Sequence, residues 1–335
     1  MDNDELLIMK SPIFIFSLPR AGSTLLQRIL LSHKSIGGTP EPWLLLPFIY
    51  ALREKGSISE YSSKLSKKGL EDVLNSIPNG KKQYYKELNE FISSIYSKFL
   101  KAEEVYFLDK TPRYYYIIED LYEIFPQAKF IFLFRNPVQV YASILNTWCD
   151  NSFAKLYGSH NDLMVGFKKL SESYKRHKHD QNTFALKYDD LVKNPSEVLK
   201  EIQTFLEVDY NQELQYNFVK TKMDTSHYLG DPTGIKKYKS ISSETLKKWT
   251  HTFNTRFRKR IIRNYIEKTL NDHDLEIQGF SKKTMLEEVQ SVNNKGRHGY
   301  FKDLLSYFIY KTFIKYNLYL FFSKSTKWLK KTFIS

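Results

Sequence analysis

The chain has 335 residues, and its hydrophobic share of 41% is ample for a sizeable core in one large domain or two small ones. A formal net charge of +14 favours an anionic partner, but it does not choose among a nucleotide, a nucleic acid and a membrane. The single cysteine, Cys149, excludes an internal disulfide framework and a cysteine zinc site.

The N-terminal stretch MDNDELLIMK carries three acids and no long apolar core, so it does not predict a secretory signal. No run of about 18 residues is both uncharged and apolar, so a transmembrane helix is not predicted either. These features, with the single cysteine, predict a cytoplasmic protein.

Four short apolar runs predict β-strands, at residues 13–17, 105–108, 129–134 and 183–187. Each run is followed by turn residues and then by a helical pattern, which is typical of βαβ units. The sequence therefore predicts the α/β class, with a parallel sheet and helices on both of its faces. The polar stretch between the first two runs lacks strand signals, and it predicts a helical insertion.

Cations follow three of the four predicted strands. Arg20 comes after the first, Lys110 and Arg113 after the second, and Arg135 after the third. Ligands of parallel sheets bind off the carboxyl ends of the strands, so these cations should converge on one edge. We therefore expect a polyanionic ligand.

The stretch from Pro19 to Thr24 has the properties of an anion cradle at a helix start. Gly22 allows close backbone approach, and Ser23 and Thr24 offer amide and hydroxyl donors. Arg20 adds a charge-assisted contact. The alternatives are an ordinary capped turn or a P-loop kinase, but Gly22 stands where the kinase lysine is expected.

A second strand–Arg–helix unit is formed by Arg135, Pro137 and Ser143. Pro137 suits the first turn of a helix, and Ser143 falls about two turns further on. The alternatives are a surface salt bridge for Arg135 and a small packing residue for Ser143. Two separate cradles suggest two anionic groups on one ligand, as in a nucleotide phosphorylated at its 5′ and 3′ ends.

These segments resemble the PAPS-dependent sulfotransferases, whose donor is 3′-phosphoadenosine 5′-phosphosulfate (PAPS). FSLPRAGSTLLQRIL resembles their 5′-phosphosulfate loop, and FIFLFRNPVQVYASIL resembles their 3′-phosphate motif. LDKTPRYYYIIEDLYEIFPQAKFIF is similar to their Lys-Thr-Pro segment, and FALKYDDLVKNPSEVLKEIQTFLEV to their Tyr-Glu-Asp-Leu stretch. The resemblance covers about residues 11–280 and points to the bacterial branch that is similar to glycan and tyrosine sulfotransferases.

The resemblance implies a P-loop-like parallel sheet flanked by helices, with a helical insertion and a C-terminal helical extension. It implies PAPS as the donor and no requirement for a metal. The donor-binding residues that it implies are Arg20, Ala21, Gly22, Ser23, Thr24, Arg135, Ser143, Tyr188, Lys236 and Lys239.

The resemblance also suggests catalytic roles for Glu41, Arg20 and Lys110. Arg20 and Lys110 would neutralise charge on the leaving oxygen. Glu41 lies at the tyrosine enzymes' separation from Arg20, and the prolines on either side of it favour a stiff, extended loop. Glu41 is therefore the predicted general base, and His33 is the rival.

The predicted domains are a sulfotransferase domain at 1–280, with an acceptor-selecting helical cap at 44–104, and a basic aromatic extension at 281–335. Residues 297–335 hold Arg297 and seven lysines against Asp303, which is +7 of the net +14. This composition predicts an interfacial helix on the inner face of an anionic membrane, and the alternative is a helix packed on the enzyme or in a dimer. A nucleic-acid partner is not expected, since no nucleic-acid-binding motif accompanies the positive charge.

The expected activity is sulfuryl transfer from PAPS to a hydroxyl or amine. The expected acceptor is a surface glycan or a lipid-linked glycan precursor. The alternatives are a protein-tyrosine sulfotransferase within the class and a P-loop-type kinase outside it.

Overall fold

The computed structural model describes residues 9–220, 240–294, 299–316 and 318. The chain divides into two compact units. The first contains the described residues of Met1–Ser17, Ala21–Phe134 and Ser173–Ser242, and the second those of Leu18–Arg20, Arg135–Glu172 and Ser243–Ser335. The domain limits predicted from the sequence, 1–280 and 281–335, stay a prediction.

Within the described residues, the first unit is built on a five-stranded parallel sheet of order β2-β3-β1-β4-β5. Its strands are β1 (Ser11–Ser17), β2 (Ile36–Gly38), β3 (Tyr106–Asp109), β4 (Lys129–Phe134) and β5 (Thr183–Lys187). Every residue of β1 is buried, as expected of a central strand covered on both faces. Stacked rings of Phe14 and Phe130, 5.8 Å apart, join β1 to β4.

Helices surround this sheet. The helices that the structure describes in the first unit are α1 (Ser23–Leu30), α2 (Leu45–Tyr50), α3 (Ser63–Asn75), α4 (Gly80–Ser97), α5 (Ile118–Ile124), α8 (Tyr188–Lys193), α9 (Pro195–Leu206) and α10 (Leu214–Asn217), with a 3₁₀ turn at Pro112–Tyr116. Helix α7 (Phe167–His177) crosses from the second unit to the first along the chain.

The predicted α/β class and the P-loop-like parallel sheet are confirmed. The four predicted strands are present, and the second is shifted by one residue to Tyr106–Asp109. Strand β2 was not predicted, because its sequence Ile-Gly-Gly carries almost no strand signal and depends on pairing with β3. The predicted insertion is helical, since it holds α2, α3 and α4.

The second unit is mainly helical. It contains α6 (Pro137–Thr147), α11 (Trp249–Thr252), α12 (Arg256–Thr269), α13 (Asp272–Ile277), α14 (Lys282–Ser291) and α15 (Tyr300–Lys315), with short 3₁₀ or π segments at Phe153–Ser159, Asp162–Gly166 and Ser243–Lys247. Its core includes edge-to-face contacts of Tyr141 with Phe253 and Tyr265. The predicted start of α6 is confirmed, because the Asn136 side chain caps the helix and Pro137 is its first residue.

Candidate active site

The turn after β1 has an unusual backbone. Arg20 has φ +66° and Gly22 has φ +101°, both in the left-handed region. Left-handed residues on both sides of Ala21 turn successive N–H groups toward one point, as in anion-binding nests. A Cβ on Gly22 would lie 2.3 Å from the ring of Tyr188, so only glycine fits here. Tyr188 therefore packs directly on the loop.

Helix α1 begins at Ser23, directly after Gly22 of this loop. The first amides of a helix have no partner within the helix, so Ser23 and Thr24 can donate to an anion. The Thr24 hydroxyl also accepts a 3.5 Å contact from Lys110 Nζ. The predicted cradle and the predicted lysine therefore meet in the first unit.

The two predicted catalytic residues of this unit form an ion pair. Lys110 Nζ lies 2.6 Å from Glu41 Oε1, and the side chains are 1% and 11% exposed. Trp43 Nε1 donates to the other carboxylate oxygen at 3.3 Å. The Glu41 carboxylate is thus held between a buried ammonium and an indole at the carboxyl edge of the sheet.

A residue that the sequence did not single out positions this loop. Gln27, fully buried in α1, donates from Nε2 to the carbonyl oxygens of Thr39 and Pro40, each at 2.8 Å. These carbonyls directly precede Glu41 in the chain. A glutamine in an apolar helix face is a weak signal in the sequence, because its partners lie twelve and thirteen residues away.

Asp109, at the end of β3, fixes the other side of the loop. Its buried carboxylate accepts hydrogen bonds from the hydroxyls of Tyr96, Tyr114 and Thr111. Burial raises the pKa of Asp109 to about 6, against the lowering effect of these hydroxyls and of the Lys110 charge. Burial also raises the pKa values of Tyr96 and Tyr114 well above the ordinary value, so both hydroxyls keep their protons and donate hydrogen bonds.

The same hydroxyls continue the network to the Glu41 loop. Thr111 Oγ1 accepts from the Trp43 amide and Tyr114 from the Leu45 amide, each at 3.3 Å. Asp109 therefore positions the segment after Glu41, much as Gln27 positions the segment before it.

We expect Asp109 to make stability depend on pH. Because its folded pKa is raised from 3.8 to about 6, its stabilising contribution is complete below pH 3.8 and is lost as the pH rises through 6. The shift corresponds to roughly 3 kcal/mol in the free energy of unfolding. The Asp109→Asn variant should lack this decline, measured by urea unfolding between pH 4 and about 7.

The exposed Asp72→Asn variant is the matched control and should keep the wild-type dependence. An Asp109→Asn variant with the same pH slope as the wild type would show that burial does not raise the pKa of this carboxyl.

The rival base, His33, has both ring nitrogens engaged. Nδ1 accepts from the Ser35 amide at 3.1 Å, so Nε2 carries the proton and donates to the Asp209 carbonyl at 2.9 Å. A neutral imidazole in this tautomer has no lone pair left for an acceptor proton. The assignment of Glu41 as the general base stays a prediction.

In the second unit the other predicted cations come together. Arg135 donates from Nη1 to the carbonyl oxygen of Arg20 at 2.9 Å and from Nε to Gln139 at 3.0 Å. Arg20 Nε in turn donates to Ser143 Oγ at 3.3 Å, and its guanidinium carbon lies 5.9 Å from the centre of the Trp148 ring. The Arg20 side chain is thus grouped with the predicted 3′-phosphate residues.

Each unit therefore brings together part of the predicted set. The first holds Ala21, Gly22, Ser23, Thr24, Glu41, Lys110 and Tyr188, and the second holds Arg20, Arg135 and Ser143. Lys236 and Lys239 lie outside the described residues. The roles of all of these residues stay predictions.

A parallel sheet whose first strand leads through a glycine turn into a helix is typical of P-loop-like proteins. Residues 12–212, more than half of the chain, match the Sulfotransferase family. The chain belongs to this family.

The comparisons with individual proteins are more distant. The chain is 26% identical over 263 residues to the nodulation protein NoeE of Sinorhizobium fredii. The match covers 70% of this chain and 59% of that protein. The chain thus spans less than two thirds of the length of this relative.

Solved sulfotransferases are also similar. The sulfotransferase domain of the Synechococcus olefin synthase is 24% identical, with a TM-score of 0.48, and the match covers 72% of this chain and 88% of that one. A mouse sulfotransferase complexed with PAP is 17% identical, with a TM-score of 0.48, and the match covers 87% of this chain and 95% of that one.

Proposed function

We propose that this protein is a sulfotransferase that moves a sulfuryl group from PAPS to an acceptor hydroxyl or amine. The observation that carries the proposal is the contact of Glu41 with Lys110, and of Lys110 with Thr24, at the carboxyl edge of the sheet. A carboxylate, a buried cation and an anion-binding helix start are the groups that this transfer requires. Membership of the Sulfotransferase family supports the reaction class.

The chain's own residues fit such a donor. Gly22 lets the ring of Tyr188 pack on the loop, because a Cβ there would clash with that ring, and the first amides of α1 follow directly and can bind an anion. A second cationic cluster, built on Arg135 and Ser143, suits another phosphate. When bound, PAPS would supply an activated sulfuryl group and a 3′,5′-bisphosphate leaving group.

The proposed roles follow from charge and geometry. Glu41 accepts the proton of the acceptor hydroxyl, and the Gln27 and Asp109 contacts hold its loop in one direction. Lys110 neutralises negative charge on the leaving oxygen, as cations do in phosphoryl transfer. The amides of Ser23 and Thr24 bind the 5′ anionic group. Arg20 and Arg135 hold the charged ends of the nucleotide.

We propose a glycan, or a lipid-linked glycan precursor, as the acceptor. The half-buried Trp43 supports this class, because its indole lies beside the Glu41 carboxylate and offers an apolar ring on which a sugar can pack. A tyrosine side chain would also pack there, so a protein-tyrosine sulfotransferase is the second candidate. Transfer to oligosaccharides compared with transfer to tyrosine peptides separates the two.

The kinase alternative has less support from the described residues. Asp109 is the acid best placed to hold a magnesium ion, but its carboxylate is buried and already accepts three hydroxyl hydrogen bonds. Gly22 stands where a P-loop lysine would bind the phosphates.

A thermal-shift comparison tests the proposed donor. Adenosine 3′,5′-bisphosphate should raise the melting temperature, because a ligand that binds only the folded state stabilises it. ATP with magnesium should raise it much less, since ATP carries no 3′-phosphate. A larger shift with ATP and magnesium would refute the proposal in favour of a kinase.

A further inference from the structure

Helix α15 (Tyr300–Lys315) exposes an apolar face, while its inward face combines buried polar groups with the ring of Tyr307, which packs on Phe153 and Phe257. Its buried residues are Asp303, Ser306 and Tyr310. Phe301, Leu305 and Phe308 are 82%, 62% and 67% exposed. An ordinary surface helix buries its apolar stripe and exposes its polar face.

Buried polar contacts fix the inward face within the second unit. Arg258 donates to both carboxylate oxygens of Asp303 at 2.7 Å, in the bidentate geometry that gives the strongest ion pairs. The Tyr310 hydroxyl is hydrogen-bonded to His160 Nδ1 at 2.8 Å. Since this face is fixed by buried polar contacts, the helix cannot turn its apolar side inward without breaking them.

The apolar face is continuous. Phe301, Leu304, Leu305 and Phe308 follow the i, i+3, i+4, i+7 spacing of one helix side, and all four are exposed. Scattered single hydrophobic residues on a surface need no explanation, but a contiguous patch marks an interaction site.

Lysines flank this face. Lys302 and Lys311 are nine residues apart, which at 3.6 residues per turn places them on opposite sides of the helix. Lys315 follows at its C-terminal end, and all three are exposed. An apolar stripe bordered by lysines is complementary to a surface that is apolar inside and anionic at its border, as a bilayer with acidic headgroups is.

We propose that α15 binds an anionic lipid bilayer in its plane, with the rings of Phe301 and Phe308 inserted among the lipid chains. This inference goes beyond the proposed sulfuryl transfer and does not depend on it. Within the described residues no helix is long and apolar enough to span a membrane.

A second copy of the chain is a poorer occupant. A two-fold dimer places the same surface patch on both partners, so the lysines bordering both α15 helices would be gathered in one interface. Like charges brought together in this way oppose association.

Vesicle sedimentation tests the proposal with the full chain. The protein should bind vesicles that contain phosphatidylglycerol and should bind pure phosphatidylcholine vesicles much more weakly. Replacing both Phe301 and Phe308 by serine should weaken binding by more than about tenfold for each ring removed. Leu65→Ser, at an equally exposed position on α3, is the matched control and should bind as the wild type does.

A fluorescent label measures insertion directly. Cys149 is buried, so a Phe308→Cys variant can be labelled selectively with an environment-sensitive dye. Its emission should shift to the blue on acidic vesicles, and the same dye on Lys283→Cys of α14 should not shift. Unchanged melting temperatures would show that the variants are folded.

Failure of the wild type to bind acidic vesicles would overturn the proposal, and so would equal binding by the double serine variant. A blue shift at position 308 without lipid, accompanied by a dimer in sedimentation equilibrium, would also overturn it and would assign the face to self-association.

Discussion

Replacing Glu41 with glutamine should lower turnover by about 10²–10⁴-fold, the usual contribution of a general base. Glutamine keeps an oxygen that can accept the hydrogen bond from Lys110 Nζ, but it cannot take a proton from the acceptor at neutral pH. Affinity for adenosine 3′,5′-bisphosphate should be nearly unchanged, because in the proposed site Glu41 faces the acceptor. Steady-state kinetics and calorimetric titration measure the two quantities separately.

Glutamine is preferable to alanine in this test. Lys110 is 1% exposed, and removing the charged partner of a buried charge strongly destabilises a protein. Glu103→Gln, an exposed acid in the same unit, is the matched control and should retain full activity. A Glu41→Gln enzyme with most of the wild-type rate would show that the base is another group.

Replacing Arg135 with alanine should weaken binding of adenosine 3′,5′-bisphosphate by roughly ten- to a hundredfold, the value of a hydrogen bond to a charged group. Binding of adenosine 5′-phosphate should fall much less, because that ligand lacks the 3′-phosphate. A small loss is expected for both ligands, since Arg135 also donates to the carbonyl of Arg20.

The ratio of the two losses is therefore the decisive quantity. Arg263→Ala, a half-exposed arginine in the same unit that pairs with Glu267, is the control and should change neither affinity. Equal losses for the two nucleotides would contradict the assignment of Arg135 to the 3′-phosphate and would leave it a purely structural role in the loop.

The sequence predicts well what depends on local pattern. Strands β1 and β4 are unbroken apolar runs, and the start of α6 is marked by Asn136 and Pro137. The positive φ of Gly22 is predictable, because glycine is the residue that adopts this conformation most readily in a tight turn between a strand and a helix. Its φ of +101° agrees.

Contacts between distant parts of the chain were not predictable in the same way. The pairing of Glu41 with Lys110 joins residues 69 apart, and the contact of Arg20 with Ser143 joins residues 123 apart. The Gln27 amide and the Asp109 network acquire their positioning roles only when the fold brings α1, β3 and the Glu41 loop together.

The C-terminal helix shows the same limit. Composition predicts a basic aromatic segment but leaves membrane binding and packing as alternatives. In the structure α15 packs through Asp303 and Tyr310 and exposes Phe301 and Phe308, so packing is confirmed for one face and membrane binding stays a proposal for the other.

The most direct test of the proposed function is transfer of ³⁵S from labelled PAPS to fractionated extract of the source cell. We predict that the wild-type protein labels an acceptor in at least one fraction and that Glu41→Gln, at equal concentration, leaves that fraction unlabelled. Absence of label in every fraction with the wild-type protein, in a preparation that binds adenosine 3′,5′-bisphosphate, would contradict the proposal that this chain transfers sulfuryl groups.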